Sequence, residues 1–251
     1  MKTLTHTVWT SCFVVANMCA SPQAGELSAG MAIISTKPPF IGEDVITLPI
    51  PVIKYETENF HYFLDTAAYT FVKHQSDTLS WSAAGIAKLR FLDRDTDGDL
   101  AGMEDRDPSL DLGFKFNTKA FWGGVSLMFI ADATSTHGGN EASLSYSYDH
   151  MATNELIFIP AIEFDNYSKK LSDFIYGVRA SEAIPVTRPE YHPDNATIAK
   201  LSLTIVYLLS NNWTCMQYTG VTRLHNTLTD SPIVAEDKEV QLFLGALYKF
   251  N

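Results

Sequence analysis

Apolar and polar residues alternate along most of the chain after residue 24. Residues 109–117 (SLDLGFKFN) carry leucine or phenylalanine at every second position, and residues 141–149 (EASLSYSYD) do the same with alanine, leucine and tyrosine. The same period of two occurs in residues 173–181 (DFIYGVRAS) and 200–210 (KLSLTIVYLLS). Successive side chains of a β-strand point to opposite faces, so this pattern predicts strands with one apolar and one polar face.

Twelve segments are predicted as strands: 25–36, 45–56, 60–73, 79–92, 108–118, 120–132, 139–150, 155–166, 171–181, 197–210, 213–224 and 238–250. Each is near the ~9–11 residues that a tilted strand needs to cross a bilayer, and an even number of strands is typical of bacterial barrels. Pro49 and Pro51 cannot donate ladder hydrogen bonds, so we expect a bulge or a locally unpaired stretch in the second strand. Ten strands therefore remain an alternative to twelve.

The composition of the two faces separates a membrane barrel from a soluble β-sandwich. A sandwich needs aliphatic bulk on its apolar faces, whereas an outer-membrane barrel carries aromatic girdles on its lipid face and small polar residues in its lumen. Phenylalanine, tyrosine and tryptophan make up 12% of the chain, and many of them lie near predicted strand ends. The polar faces are rich in serine, threonine, glycine and acidic residues. We therefore predict an all-β fold consisting of a single closed antiparallel transmembrane β-barrel.

The first 24 residues have the pattern of a cleaved signal peptide. Lys2 is followed by an apolar stretch over residues 8–20 and then by small residues, which is the order that a secretory signal requires. We therefore predict a signal peptide over residues 1–24 and one barrel domain over residues 25–251. Two of the three cysteines lie in the predicted signal, so Cys215 would have no partner and the exported protein would fold without disulfides.

Net charge excludes one class of partner. The formal charge is −11, and no cluster of lysine and arginine is longer than a pair. A phosphate backbone would be repelled by such a surface, so nucleic acid is not an expected partner.

Residues 93–104 (DRDTDGDLAGME) match the calcium loop of an EF-hand. The matching positions are Asp93, Asp95, Asp97, Gly98, Leu100 and Glu104. An EF-hand also needs a helix after its loop, and Pro108 together with the alternating segment that follows predicts a strand instead. We therefore interpret the segment as a solvated acidic hairpin loop; calcium binding without the EF-hand fold remains an alternative.

Catalytic motifs are missing from the sequence. It contains neither G-x-S-x-G nor H-E-x-x-H, and its histidines after the signal are scattered and expected at surfaces or interfaces: His61, His74, His137, His150, His192 and His225. A barrel protease could pair His137 with Asp132 or with carboxylates of residues 93–107, but no catalytic, cofactor-binding or metal-binding residue is assigned. Cofactors are not expected either.

Two polar segments are predicted to order loops rather than to bind substrate; for the first of them, folding into the lumen is the alternative. The first contains Glu182, Arg188 and Tyr191 in the long loop 182–196, and the second is the turn Asp230-Ser231-Pro232, where the Asp side chain is expected to cap backbone N–H groups.

Several segments together resemble one protein family. They are LAGMEDRDPSLDLG (100–113), FIYGVRASEAIPVTRPEY (174–191), LPIPVIKY (48–55), HGG (137–139) and the region from residue 201 to the end, with Tyr207, Leu209-Ser210, Trp213, Arg223-Leu224, residues 230–234 and LGALYKF. Their order and spacing resemble the MltA-interacting protein/OmpV family of Gram-negative outer-membrane barrels, and the resemblance covers nearly all of the chain after the signal.

This resemblance implies a barrel in the outer membrane of a Gram-negative bacterium, in contact with its lipid. It also implies a non-enzymatic scaffold that joins a periplasmic lytic transglycosylase to a murein synthase. A porin-like transport barrel, a small-solute-binding barrel or an adhesin is the alternative. Counting strands back from the C-terminus places loops 182–196 and 225–237 outside. The same count places the acidic loop 93–107 in the periplasm, unless one strand between 108 and 150 has been split or merged. There the loop would offer a negative surface to a basic enzyme.

Overall fold

The computed structural model describes residues 25–92 and 98–250, which form thirteen strands and two short helices. The predicted signal peptide (1–24) lies outside the described residues, as do residues 93–97 of the acidic loop. The elements are β1 Glu26–Lys37, β2 Ile46–Glu56, β3 Phe60–Phe63, β4 Thr66–Gln75, β5 Leu79–Leu92, β6 Arg106–Ala120, β7 Gly123–Asp132, β8 Asn140–Ser147, β9 His150–Met151, β10 Leu156–Tyr167, α1 Lys169–Tyr176, β11 Ala196–Leu208, β12 Trp213–Arg223, α2 Asn226–Thr229 and β13 Lys238–Phe250. Neither helix reaches the length and apolarity that a membrane-crossing helix needs.

The strands form one antiparallel sheet that closes on itself. Chain neighbours pair in order from β1 to β8, β8 pairs with β10, and β13 returns to pair with β1. The pairing of β10 with β11 closes the ring, and the two-residue β9 adds a short extra strand beside β10. The prediction of a closed twelve-strand antiparallel barrel is therefore confirmed, with β9 as an addition.

Two of the twelve predicted strands are wrong in compensating ways. Predicted strand 60–73 is two strands, because the chain turns at Leu64, which adopts a left-handed φ of 54°, and at Asp65. Predicted strand 171–181 is instead helix α1 followed by an irregular loop. Leu171, Phe174 and Ile175 have the helical spacing i, i+3, i+4, and all three are buried. The prediction counts β3 and β4 as one strand and counts one strand that does not exist, so the predicted total of twelve agrees with the barrel.

Of the two alternatives predicted for β2, a bulge or a locally unpaired stretch, the structure has the unpaired stretch. β2 pairs with β1 along its length without a register shift, and Pro49 lies opposite Ile33 while Pro51 lies opposite Met31. On its other edge β2 pairs with β3 only through Lys54–Glu56. Residues 46–53 therefore have no strand partner on that edge within the described chain.

Alternation along the strands separates a lipid face from a lumen face. On β13 the outward side chains from Val240 to Phe250 are apolar and exposed, whereas Phe243 and Leu247 point inward and are buried. At one end this apolar belt is followed by outward cations on three adjacent strands: Lys37, Lys238 and Arg223. An apolar outer band with polar residues beyond it is the arrangement that a bilayer requires.

Connection lengths assign the two ends of the barrel. One end carries the connections 57–59, 76–78, 121–122, 148–155 and 209–212, which are two to eight residues long. The other end carries the connections 38–45, 93–105, 133–139, 168–195 and 224–237, which are seven to 28 residues long, together with the tight turn 64–65. Outer-membrane barrels place short turns in the periplasm and long loops outside. We call these ends the inner rim and the outer rim.

The predicted periplasmic position of the acidic loop is wrong. Arg179 Nη1 donates to Glu104 Oε2 at 2.6 Å, and the Glu104 backbone N–H donates to Glu182 Oε1 at 3.0 Å. Residues 98–105 therefore lie at the same rim as loop 182–196. The false strand 171–181 reversed the sidedness of every connection from there back to the merged strand 60–73.

Candidate functional site

The outer half of the lumen contains a buried network of charged side chains. Arg90, which points inward from β5, donates to Asp111 Oδ2 through Nε at 3.0 Å and Nη2 at 2.8 Å. Its Nη2 also donates to Glu141 Oε2 at 2.7 Å, and Lys88 Nζ lies 3.8 Å from Glu141 Oε1. All four residues are at most 3% exposed. Lys88 lies opposite Asp111 in the register of β5 and β6, and Glu141 reaches the same level of the lumen from β8.

A second group of charges continues this network across β10 and β11. Lys200 Nζ donates to Glu163 Oε1 at 3.1 Å and lies 2.6 Å from Asp165 Oδ2. Farther around the wall, Thr36 donates to Glu239 Oε1 at 3.1 Å. Removing one partner from a buried pair typically costs about 3–5 kcal/mol, because the other charge is left without compensation. The network therefore makes the outer half of the lumen a filled layer.

Above this layer the outer segments pack into an apolar cap. Its buried members are Phe40, Leu100, Met103, Leu171, Phe174, Ile175, Tyr176, Val178, Leu224, Leu228 and Ile233, which rest on Leu92, Tyr167, Ala196 and Ile198 at the strand ends. They come from four different outer segments, so the segments cover the barrel as one packed unit. The rings of Phe40 and Tyr176 lie 5.8 Å apart and join segment 38–45 to helix α1.

Loop 182–196 is fastened to this cap by a buried ion pair. Arg106 Nη1 donates to Glu182 Oε1 at 2.6 Å and Nη2 donates to Oε2 at 3.1 Å, a bidentate arrangement. Burial alone would raise the pKa of Glu182. The hydrogen bonds from Arg106 and from the backbone N–H groups of Arg179 and Glu104 outweigh burial and lower that pKa to about 2.

The neighbouring polar residues of the loop act in the same way. Arg188 donates to the backbone carbonyls of Glu182 at 3.0 Å and Ala101 at 2.8 Å, and Tyr191 Oη donates to the Thr227 carbonyl at 2.8 Å. The prediction that Glu182, Arg188 and Tyr191 order the loop is confirmed by these contacts.

The turn at residues 230–232 is also present, but its capping group differs from the prediction. His225 Nδ1 accepts a hydrogen bond from the Thr227 backbone N–H at 3.2 Å and so caps α2. Ser231 Oγ donates to the Tyr176 carbonyl at 2.6 Å, which ties the turn to helix α1. The described hydrogen bonds of Asp230 run through its backbone N–H, so the predicted side-chain cap by Asp230 is wrong.

His137 is buried, contrary to the expected surface or interface position. Its Nε2 lies 2.8 Å from Asp111 Oδ1, and Asp132 Oδ2 accepts the His137 backbone N–H at 2.7 Å. Asp111, Asp132 and His137 are the described residues whose ligand atoms lie within 4.8 Å of one another, as a metal site requires. However, Arg90 donates to Asp111, and both oxygens of Asp132 accept hydrogen bonds from residues 134–138. The three residues therefore form a hydrogen-bonded junction between network and cap.

The calcium-loop match has a different role in the part of the loop that the structure describes. The carboxylate of Glu104 accepts from Arg179 at 2.6 Å and from Ser181 at 3.1 Å, and Leu100 is buried in the cap. β6 begins at Arg106 and runs through Pro108, so a strand follows the loop as predicted. Asp93, Asp95 and Asp97 lie outside the described residues.

The inner rim is built differently from the outer rim. Its charged pairs are partly exposed, as for Lys73–Glu58 at 3.1 Å and Lys249–Glu26 at 2.8 Å, and in this they match surface pairs of the outer rim such as Arg179–Glu104. Its turns present apolar side chains to the surroundings, among them Phe121, which is 89% exposed. No cap covers this end within the described residues.

A closed antiparallel barrel with an apolar belt, a polar lumen and short turns at one end defines an outer-membrane β-barrel protein. A family model described as "MltA-interacting protein MipA" matches residues 29–250. The chain therefore belongs to the MltA-interacting protein MipA family and lies in the outer membrane of a Gram-negative bacterium.

Curated relatives are similar over nearly their whole length. A protein of Escherichia coli K12 named as an outer membrane protein, YiaT, is 26% identical over 92% of this chain and 94% of its own. The MltA-interacting protein of Escherichia coli K12 is 24% identical over 90% of this chain and 91% of its own. Among solved structures, the COG4313 outer membrane channel from Pseudomonas putida F1 is 11% identical with a TM-score of 0.49, over 95% of this chain and 100% of that one.

Proposed function

We propose that this chain is a non-enzymatic scaffold of the outer membrane whose inner rim docks periplasmic murein-cleaving and murein-synthesising enzymes. The observation that carries the proposal is the closed outer half of the barrel. A solute crossing the lumen would have to displace both the cap and the buried pairs of Arg90 with Asp111 and Glu141. Because solutes cannot pass through a lumen closed in this way, the surface of the barrel is the part that contacts its partners.

The inner rim offers anchors of the kind that protein interfaces use. Phe121 is 89% exposed and Trp122 is 41% exposed in the turn between β6 and β7, and Met151 is 63% exposed in the next turn. Exposed aromatic residues and methionine are enriched at protein–protein interfaces, where a few of them supply most of the binding energy. The relative named MltA-interacting protein supports the same class of partner.

The acidic loop gives no support to this proposal. Its described part contacts the cap at the outer rim, so it cannot reach a periplasmic enzyme. The partner surface is therefore assigned to apolar anchors at the inner rim rather than to negative charge.

The proposal is tested by binding of a purified MltA-type lytic transglycosylase to the full chain in detergent. Replacing Phe121 and Trp122 together with alanine should weaken binding about tenfold or more, because interface anchors of this type often cost over 1.4 kcal/mol when truncated. Val186→Ala is the matched control, since Val186 is 97% exposed at the outer rim. Heat-modifiable gel mobility verifies that the double variant and the control variant are both folded barrels. Equal binding by all three proteins, or no binding at all, would contradict the proposal.

Planar-bilayer recordings test the alternative of a transport barrel. We expect the inserted wild-type chain to show no sustained ion conductance, because the outer half of the lumen is filled. Stable single-channel currents at neutral pH would overturn the scaffold assignment in favour of a porin-like barrel.

A further inference from the structure

The barrel wall has a gap on its outer side between β2 and β5. The turn between β3 and β4 stops part of the way up the wall, where the Leu89 backbone N–H donates to the Asp65 carbonyl at 2.9 Å. Beyond that point residues 46–53 of β2 and 89–92 of β5 have no backbone pairing with each other. We call this gap the side notch.

The side notch lies at the level of the apolar belt. Outward residues of β2 pair with belt residues of β1, since Ile53 lies opposite Ala29 and Pro51 opposite Met31. Unpaired backbone N–H and C=O groups in hydrocarbon cost several kcal/mol each, which is why barrels ordinarily have no open edge. Pro49 and Pro51 have no N–H, so two backbone donors are already absent from this edge. The sequence therefore reduces the cost of leaving the edge open.

The strand beside the notch is apolar on both faces, unlike the strands that carry the buried network. Outward residues Pro49 and Pro51 alternate with inward residues Leu48 and Ile50, which are only half buried. A strand that is apolar on both sides is typical of one that meets apolar material on both sides. On the inward side of β2, apolar side chains of the lumen provide part of these contacts.

An apolar cluster lines the lumen at the base of the notch. Its members are Ala32, Ile34, Val52, Phe63, Tyr218, Phe243 and Leu247, with Ile50, Leu64 and Met216 packed against it. Arg90 on β5 turns away from this cluster toward Asp111 and Glu141. The β2 side of the path from the side notch into the lumen is therefore apolar, whereas β5 on the other side carries the inward charges of Lys88 and Arg90.

We propose that the side notch binds an acyl chain of an outer-leaflet lipid, which enters tail first between β2 and β5 and ends against Ile50 and Leu64. The half-buried inward face of residues 46–50 then contacts the methylene groups of the chain. The polar end of the lipid stays at the outer membrane surface, because carrying it into the apolar notch would remove its water.

A protein strand is a poor alternative occupant of the same edge. A strand added to β2 from a partner or from a second copy would pair with a segment that holds two prolines in three residues, and neither proline can donate to it. An acyl chain needs no hydrogen bonds, so it tolerates the prolines.

Photolabelling of the full chain in detergent tests this site. The probe is palmitic acid with a diazirine at its terminal carbon, and mass spectrometry of peptides locates the adducts. We expect saturable labelling concentrated on residues 50–53 and on Leu64, and competition by unlabelled palmitic acid. A probe with the diazirine near the carboxyl group should instead label residues 45–47, because the chain enters tail first.

Ile50→Gln should weaken the labelling about tenfold, since a polar amide replaces an apolar side chain that contacts the acyl chain. Ile157→Gln is the matched control, because Ile157 also points into the lumen, on β10 and far from the notch. Labelling spread around the belt in proportion to exposure, or an equal loss in both variants, would overturn the proposal. Lipid-independent dimers cross-linked through residues 46–53 would assign the edge to a second copy and would overturn it as well.

Discussion

In the outer half of the barrel, charged side chains point into the lumen and pair with one another away from solvent, as Arg90 does with Asp111 and Glu141. In the inner half, pairs such as Lys73–Glu58 lie at the rim, where both side chains are 44% or more exposed. The two halves share the same strands and the same ion-pair chemistry. They differ in what covers the pairs, because the outer segments fold over the lumen and the inner turns are too short to do so.

This difference indicates that burial decides how much stability is lost when one partner of an ion pair is removed. A buried pair loses several kcal/mol when one partner is removed, because the remaining charge has no water to solvate it. An exposed pair contributes about 0–1 kcal/mol, since water replaces the lost partner. The outer half is therefore expected to be the rigid part of the molecule, and the following variants test that expectation.

Glu182→Ala should have the largest effect. It leaves Arg106, which is 4% exposed, without its bidentate partner and should destabilise the cap by about 3–5 kcal/mol. The expected result is cleavage within residues 178–191 when intact cells are treated with a protease that leaves the wild type uncut. If the variant resists the protease as the wild type does, the ion pair does not hold the cap.

Acid should weaken the same contact to a smaller extent. Glu182 has a pKa of about 2 in the folded chain and an ordinary value of 4.5, so its contribution is complete above pH 4.5 and is lost as pH falls toward 2. Hydrogen–deuterium exchange in residues 178–191, corrected for intrinsic rates, should rise in this pH interval and stay constant between pH 5 and 7. Glu182→Gln should abolish that dependence; a variant that keeps it would assign the change to another group.

Tyr191→Phe should have a moderate effect. The substitution removes the hydrogen bond from Tyr191 Oη to the Thr227 carbonyl, which is expected to contribute about 1 kcal/mol. Local exchange should increase in residues 224–230 and remain unchanged at the inner rim. Increased exchange throughout the barrel would show that this contact supports the whole fold rather than the cap alone.

Lys73→Ala, at the inner rim, should have the smallest effect. Its partner Glu58 is 65% exposed and regains water, so the change in unfolding free energy should be about 0–1 kcal/mol. The measurement is the temperature at which the folded gel band disappears. A loss as large as that of Glu182→Ala would remove the distinction between the two halves.

Most of the fold could be predicted from the sequence, because apolar and polar residues alternate along a barrel strand that has one lipid face and one lumen face. The failures fall where that period is accidental or interrupted. Phe174, Tyr176 and Val178 alternate, yet Leu171 and Ile175 complete a helical face that packs in the cap. The turn at Leu64 and Asp65 contains no glycine or proline, so no residue type there indicates that strand 60–73 is divided.

The candidate site was only partly predictable, for a different reason. Glu182, Arg188 and Tyr191 were correctly interpreted as residues that order a loop, because they lie together in one segment. The lumen network joins Arg90 to Glu141, which lie on strands that do not neighbour each other in the sheet. Such pairs depend on the register and curvature of the closed barrel, which residue spacing does not contain. Inward charges such as Lys88 and Asp111 on the polar faces were the available signal.

Tyr167 and Ala196, at the two ends of the segment that carries helix α1, lie directly opposite each other as a ladder pair of β10 and β11. Segment 168–195 thus leaves and rejoins the wall at one place, like an insertion into a hairpin. Its length and sequence can change without altering the register of any strand. Evolution or a protein engineer can accordingly alter the exposed parts of this outer module while the membrane-spanning frame is inherited unchanged.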